Sequence, residues 1–115
     1  MQKQIDTLIL DIVKDYSDWQ QRSADKRDRI LTDVQKKMFT EFVENISYKT
    51  GNKYIKIITN RSVWGFVVNT DTDKKFRKGD ILKAAGWNAP ARNAARGNII
   101  DGGYKVDWTG PLYLK

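Results

Sequence analysis

All eight glycines and both prolines of this chain lie from Gly51 onward, in a sequence of 115 residues. Residues 1–50 therefore lack the two residue types least favourable to a helix interior. The hydrophobic pattern of this half agrees. Ile5, Leu8, Ile9, Ile12, Tyr16 and Trp19 recur at three- and four-residue steps, which predicts an amphipathic helix over residues 2–22. Asp6, Asp11, Lys14, Asp15 and Asp18 fall mostly on the opposite face.

The stretch QQRSADKRDR interrupts the stripe, and Ser23 or Asp25 is suited to cap a new helix. A second amphipathic segment then spans residues 26–48, with Ile30, Leu31, Val34, Met38, Phe42 and Ile46 on one stripe widened by Phe39 and Val43. Lys49-Thr50-Gly51-Asn52 has the pattern of a C-cap. An antiparallel helical hairpin is the simplest reading, with one long helix through residue 24 as the alternative.

Beyond Gly51 the period changes. Tyr54–Thr59 and Val63–Val68 are β-branched and aromatic, and Asn60-Arg61-Ser62 separates them as in a hairpin. Strict alternation would place Trp64, Phe66 and Val68 on one face. NTDTDKKFRKGD reads as a polar loop. Asp80 is placed to cap a short helix over Ile81–Ala85, closed by Gly86. Pro90 is placed to start another over Pro90–Arg96, ended by Gly97. Asp101-Gly102-Gly103 is a turn, and Leu112–Leu114 is a candidate edge strand. The expected class is α+β: a helical hairpin over 1–50 packed on a mixed unit over 51–115, with an antiparallel sheet and two short helices, as one cooperative domain.

Cysteine and histidine are both absent. This excludes disulfides, thiolate metal sites, and any nucleophile activated by imidazole. Asp71-Thr-Asp73 begins like a calcium loop, but Lys75 stands at the next ligand position and no Glu stands at the twelfth. Asp73-Lys74-Lys75 echoes the acidic-x-Lys element of metal-dependent nucleases, in a loop otherwise rich in lysine. The expectation is a protein that is not an enzyme, with no cofactor and no metal. The N-terminal apolar residues are interrupted by charge, so neither a signal peptide nor a membrane span is expected, and the location expected is cytoplasmic. The Asn-x-Ser triplets at Asn45 and Asn60 are then incidental.

The net charge is +7 and it is unevenly placed. Residues 1–50 hold nine basic and nine acidic side chains, whereas residues 51–115 hold twelve basic and five acidic. Such asymmetry favours a polyanionic partner. The densest cluster is Lys74, Lys75, Arg77 and Lys78, followed by Lys83. Arg92 and Arg96 would share one face of the Pro90–Arg96 helix and suit phosphate, or alternatively pair with Asp101 or Asp107. Trp64, Phe66, Trp87, Tyr104, Trp108 and Tyr113 supply aromatics beside this charge. Most are expected in the core, and Trp87, next to Gly86, is the candidate for exposure and stacking.

The order KGDILKA, APARN, ARGN and WTGP in residues 62–115 resembles small uncharacterised proteins encoded by bacteriophages. The resemblance implies a phage context and the host cytoplasm, and carries over no activity. The leading expectation is a nucleic-acid- or polyanion-binding accessory protein acting through Lys74, Lys75, Arg77, Lys78, Lys83, Trp87, Arg92 and Arg96. The alternative is an interaction module or inhibitor that binds a host protein through its helices, which could also form a homodimer seam.

Overall fold

The computed structural model describes residues 1–26, 32–60 and 62–111. Among these residues the fold is α+β. Helix α1 spans Gln2–Lys26 and helix α2 spans Asp33–Asn45. Strands β1 (Ser47–Thr50), β2 (Tyr54–Thr59), β3 (Ser62–Val68) and β4 (Ile81–Lys83) form one antiparallel sheet in the order β1-β2-β3-β4. Strands β5 (Val106–Asp107) and β6 (Gly110–Pro111) make a small second ladder.

The helices run antiparallel. Tyr16 stacks on Phe42 at 4.3 Å between ring centroids, and one turn later Gln20 donates from Nε2 to the Gln35 carbonyl at 2.9 Å. Ser23 and Asp25 lie within α1. The N-cap of α2 is Thr32, whose hydroxyl accepts from the Gln35 amide while the Gln35 side chain accepts from the Thr32 amide. That reciprocal pair satisfies two amides that helix geometry leaves open. The expected stripe residues Ile30 and Leu31, the hairpin residue Arg61, Tyr113 and the Leu112–Leu114 strand lie outside the described residues.

Apolar burial divides the sheet into two faces. On one, Ile5, Leu8, Ile12 and Tyr16 of α1 and Phe42 of α2 pack on Ile55, Ile57, Trp64, Val67 and Ile81. On the other, Phe66, Val68 and Leu82 are covered by Phe76 from the loop before β4, with Tyr54 and Ala95 alongside. Trp64 therefore does not share a face with Phe66 and Val68, as alternation alone predicts. Ile57 is opposite Gly65 while Ile58 is opposite Val63, so Trp64 is the extra residue of a β-bulge. The bulge turns the indole toward the helices, where Nε1 donates to the Asp107 carbonyl at 2.8 Å.

Three further expectations are corrected. The second helix ends at Asn45, and the residues read as its last turn and cap form β1. Pairing with β2 outweighs helical continuation, and Tyr48 packs on the core from the new strand. Residues 81–83 are strand β4 and not a helix. Residues 90–96 are not helical either: Ala84 and Pro90 form a bridge, Ala91 donates to the Lys83 carbonyl at 2.7 Å, and Arg96 donates to the Ile81 carbonyl at 2.7 Å. A helix of five to seven residues cannot offset its own nucleation, whereas these amides find ready partners along β4. Gly97 ends no helix. It holds φ +149°, and a Cβ there would lie 2.5 Å from the Tyr104 Cβ, so only glycine fits where the two segments cross.

The tryptophans give a test of this packing. Trp64 is 2% exposed and Trp19 is 41% exposed. Trp64→Ala should destabilise the fold by about 3–5 kcal/mol in urea melts. Trp19→Ala, at a half-exposed indole that contacts the rings of Tyr16 and Trp108, should lose about half as much. Equal losses would mean that the two indoles are equally enclosed.

Candidate nucleic-acid interface

The loop between β3 and β4 is organised around Asp73. Its carboxylate accepts from the amides of Lys75 (2.8 Å) and Phe76 (2.9 Å), which closes the turn and aims Phe76 into the sheet. Arg92 then binds the same carboxylate with both terminal nitrogens, each at 2.9 Å, and also donates to the Tyr54 hydroxyl. The guanidinium first, and the two amides after it, hold the Asp73 carboxyl well below the usual carboxylate range. The same pairing raises Arg92. The acidic-x-Lys element is thus an anchor between two loops. Among the described residues no cluster of metal-ligating side chains occurs.

Lys75 and Arg92 come together. Lys75 Nζ donates to the Arg92 carbonyl at 2.6 Å, and the two cations sit 5.5 and 5.0 Å from the centre of the Phe76 ring. The expected partners of Arg92 were Asp101 or Asp107, and Asp73 takes that place. Asp101 pairs instead with Arg77. Asp80, expected as a helix cap, accepts from the Arg77 amide at 2.9 Å and from the Asn98 side chain at 2.9 Å. Asn98 also donates to the Lys78 carbonyl.

The remaining expected residues disperse. Arg96 is 2% exposed and belongs to the interior, so it cannot act with Arg92 on a ligand at the surface. Lys83 lies opposite Gly65, in the row of Ile57 and Tyr48, and so on the helix-covered side of the sheet. Lys74 is exposed in the loop. Trp87 is 52% exposed, and its partner is a residue the sequence reading passed over. Lys56 places Nζ 4.9 Å from the centre of the indole and donates to Asn88 Oδ1 at 2.8 Å.

Register explains why Lys56 reaches Trp87. Lys49, Lys56, Phe66 and Leu82 lie directly opposite one another across the four strands. Phe66 and Leu82 belong to the apolar cluster away from the helices, so both lysines rise from that same face. The alternation of Tyr54-Ile-Lys-Ile-Ile-Thr already set Lys56 apart from the buried Ile55 and Ile57. That face carries Lys49, Lys56 and Trp87 toward one end and Lys75, Arg92 and Phe76 in the covering loops.

On the helix side, a cleft of about 310 Å³ is lined by Lys3, Gln4, Thr7, Asp11, Ile99 and Tyr104, with Gly102 and Gly103 at its rim. None of the expected site residues enters it. Burial, with the Asp11 carboxylate 3.4 Å from the hydroxyl, pushes the Tyr104 phenol up to about 12.

Asp73 yields a pH prediction. Its folded pKa is depressed, so its stabilisation is present above the unfolded value of about 3.9 and is lost as pH falls through the lower folded value. Asp73→Asn should lower the melting temperature at neutral pH. It should also make stability fall less steeply below about pH 4 than in the parent protein. Parallel stability curves for the two proteins would remove Asp73 from the loop anchor.

No curated protein and no solved structure matches the chain. A family of unknown function, DUF7717, matches residues 1–114. A helical pair over one face of a four-stranded sheet, with cations and an exposed indole on the other, is therefore seen here in a chain that belongs to the DUF7717 family.

Proposed function

We propose that this protein binds nucleic acid or a similar polyanion, without catalysing a reaction, through the sheet face turned away from its helices. One observation carries the reading: that face joins Lys56 to Trp87 and sets Lys75 and Arg92 on Phe76. Cations fixed on aromatic rings keep their outward donors while their orientation is set in advance, which lowers the entropy lost on binding. Charge supports the same face. Lys49 is directly opposite Lys56 across β1 and β2, and like charges at that spacing oppose folding. A bound phosphate relieves that repulsion.

The contribution of each arginine differs from the expectation drawn from sequence. Arg77 and Arg92 are matched by Asp101 and Asp73, so the lysines supply most of the uncompensated charge. Lys49, Lys56, Lys74 and Lys75, with Arg92 as a partial fifth, should give a log–log salt slope of about −3 to −4. Lys56→Gln should make that slope shallower by about 0.7 to 0.9 in a protein that remains folded. Binding that is absent at low salt, or flat against salt, overturns the proposal.

A second reading is a protein-binding module that acts through the helices. Val34 and Met38, one turn apart on α2, are 69% and 47% exposed and offer an apolar contact. On this reading Met38→Glu abolishes self-association in sedimentation runs and leaves the salt-dependent binding intact. A chain that is monomeric in both forms argues against a homodimer seam.

A further inference from the structure

We infer that the ligand of this face is single-stranded nucleic acid, with a base stacked on Trp87 and its phosphate on Lys56 and Lys49. This rests on the polyanion reading above and specifies it. The indole is presented, and not merely uncovered. Ala84 and Pro90 bridge at the base of its loop, and the amides of Ala85 and Gly86 both donate to the Ala89 carbonyl, at 2.9 and 3.1 Å. The tip that carries Trp87 is therefore held at both ends. A large aromatic usually brings its area into a core, and here more than half of the residue stays in solvent.

Lys56 fixes the second half of the site. Its ammonium lies over one face of the indole, which leaves the opposite face to a base, and spends one of its three donors on Asn88. The others remain for an anion beside the ring. A base on the indole next to a phosphate on an ammonium is the repeating unit of a nucleotide strand. Stacking of this kind accepts any base, because each has a π-face.

A duplex does not fit this arrangement. Its bases are stacked on one another and reached only through the grooves, by a helix or a two-stranded ribbon. Both helices of this protein lie across the opposite face of the sheet. The Trp87 loop needs a base already free of its neighbours, which a single strand supplies.

The test uses the full chain and three fluorescent probes of nearly equal phosphate number: a thymidine eicosamer, its abasic counterpart and a decamer duplex. The base-bearing strand should bind about 5- to 150-fold more tightly than the abasic strand, the range expected for stacking of one base. Trp87→Ala should erase that difference and weaken the abasic strand far less than the base-bearing strand, because Lys56 loses only its ring support, while Trp87→Phe should keep most of the difference. The comparison of probes on the parent protein needs no variant, so the inference remains testable even if Trp87→Ala fails to fold. Equal affinity for the base-bearing and abasic strands, or tighter binding of the duplex, overturns the inference and leaves the polyanion reading standing. No binding of any probe at low salt overturns that reading and the inference with it.

Discussion

A small sheet whose central strand is apolar on both faces has to be covered twice. In β3, Trp64 and Val67 turn toward the helices while Phe66 and Val68 turn away. The bulge at Trp64 makes this possible by breaking the alternation once. The rest of the structure follows from that demand. Helices α1 and α2 close one face. The other has no helix available and is closed by loops, with Phe76 as the main plug. Loops are weaker covers than helices because their backbone groups need individual partners. Asp73, Lys75, Asp80 and Asn98 supply those partners.

This division of labour determines how the positive charge can be used. Net charge is a property of the whole chain, but a ligand meets only what the fold leaves over. Arg96 is enclosed, Arg77 and Arg92 face carboxylates, and Lys83 belongs to the other side of the sheet. Within the basic cluster that stands out in the sequence, Lys75 and Arg77 thus also tie loops together. The cations that remain over the second face include Lys49 and Lys56, which lie far apart from that cluster in sequence and were read as parts of a helix end and a strand.

What the sequence made legible follows the range of the interactions involved. Both helices were visible because an apolar stripe at helical spacing depends on near neighbours only, although their ends moved: α1 runs on to Lys26, and α2 yields to β1. Strands β2 and β3 were visible from composition and alternation. Segments 81–85 and 90–96 were misread because capping signals at Asp80 and Pro90 are local, whereas the amides of Ile81, Ala91 and Arg96 donate to the carbonyls of Gly97, Lys83 and Ile81 in the facing segment. Lys56 carried a usable signal, its place opposite Ile55 and Ile57 in the alternation, but only the register with β1 and β3 shows which residues stand beside it.

The bond between the Trp108 amide and the Asp15 carboxylate, at 2.8 Å, joins positions 93 residues apart. Tyr104 reaches Asp11 over the same separation. The first helix is thus made before anything it finally rests on. As the chain leaves the ribosome, α1 and α2 can pair with each other, yet the apolar row Ile5, Leu8 and Ile12 has no sheet beneath it until β2, β3 and β4 have been synthesised. Its last polar ties wait for almost the whole chain. A fold with its earliest segment bound to its latest has high contact order and closes slowly. It also passes through a stage in which a bare helical face is open to other proteins.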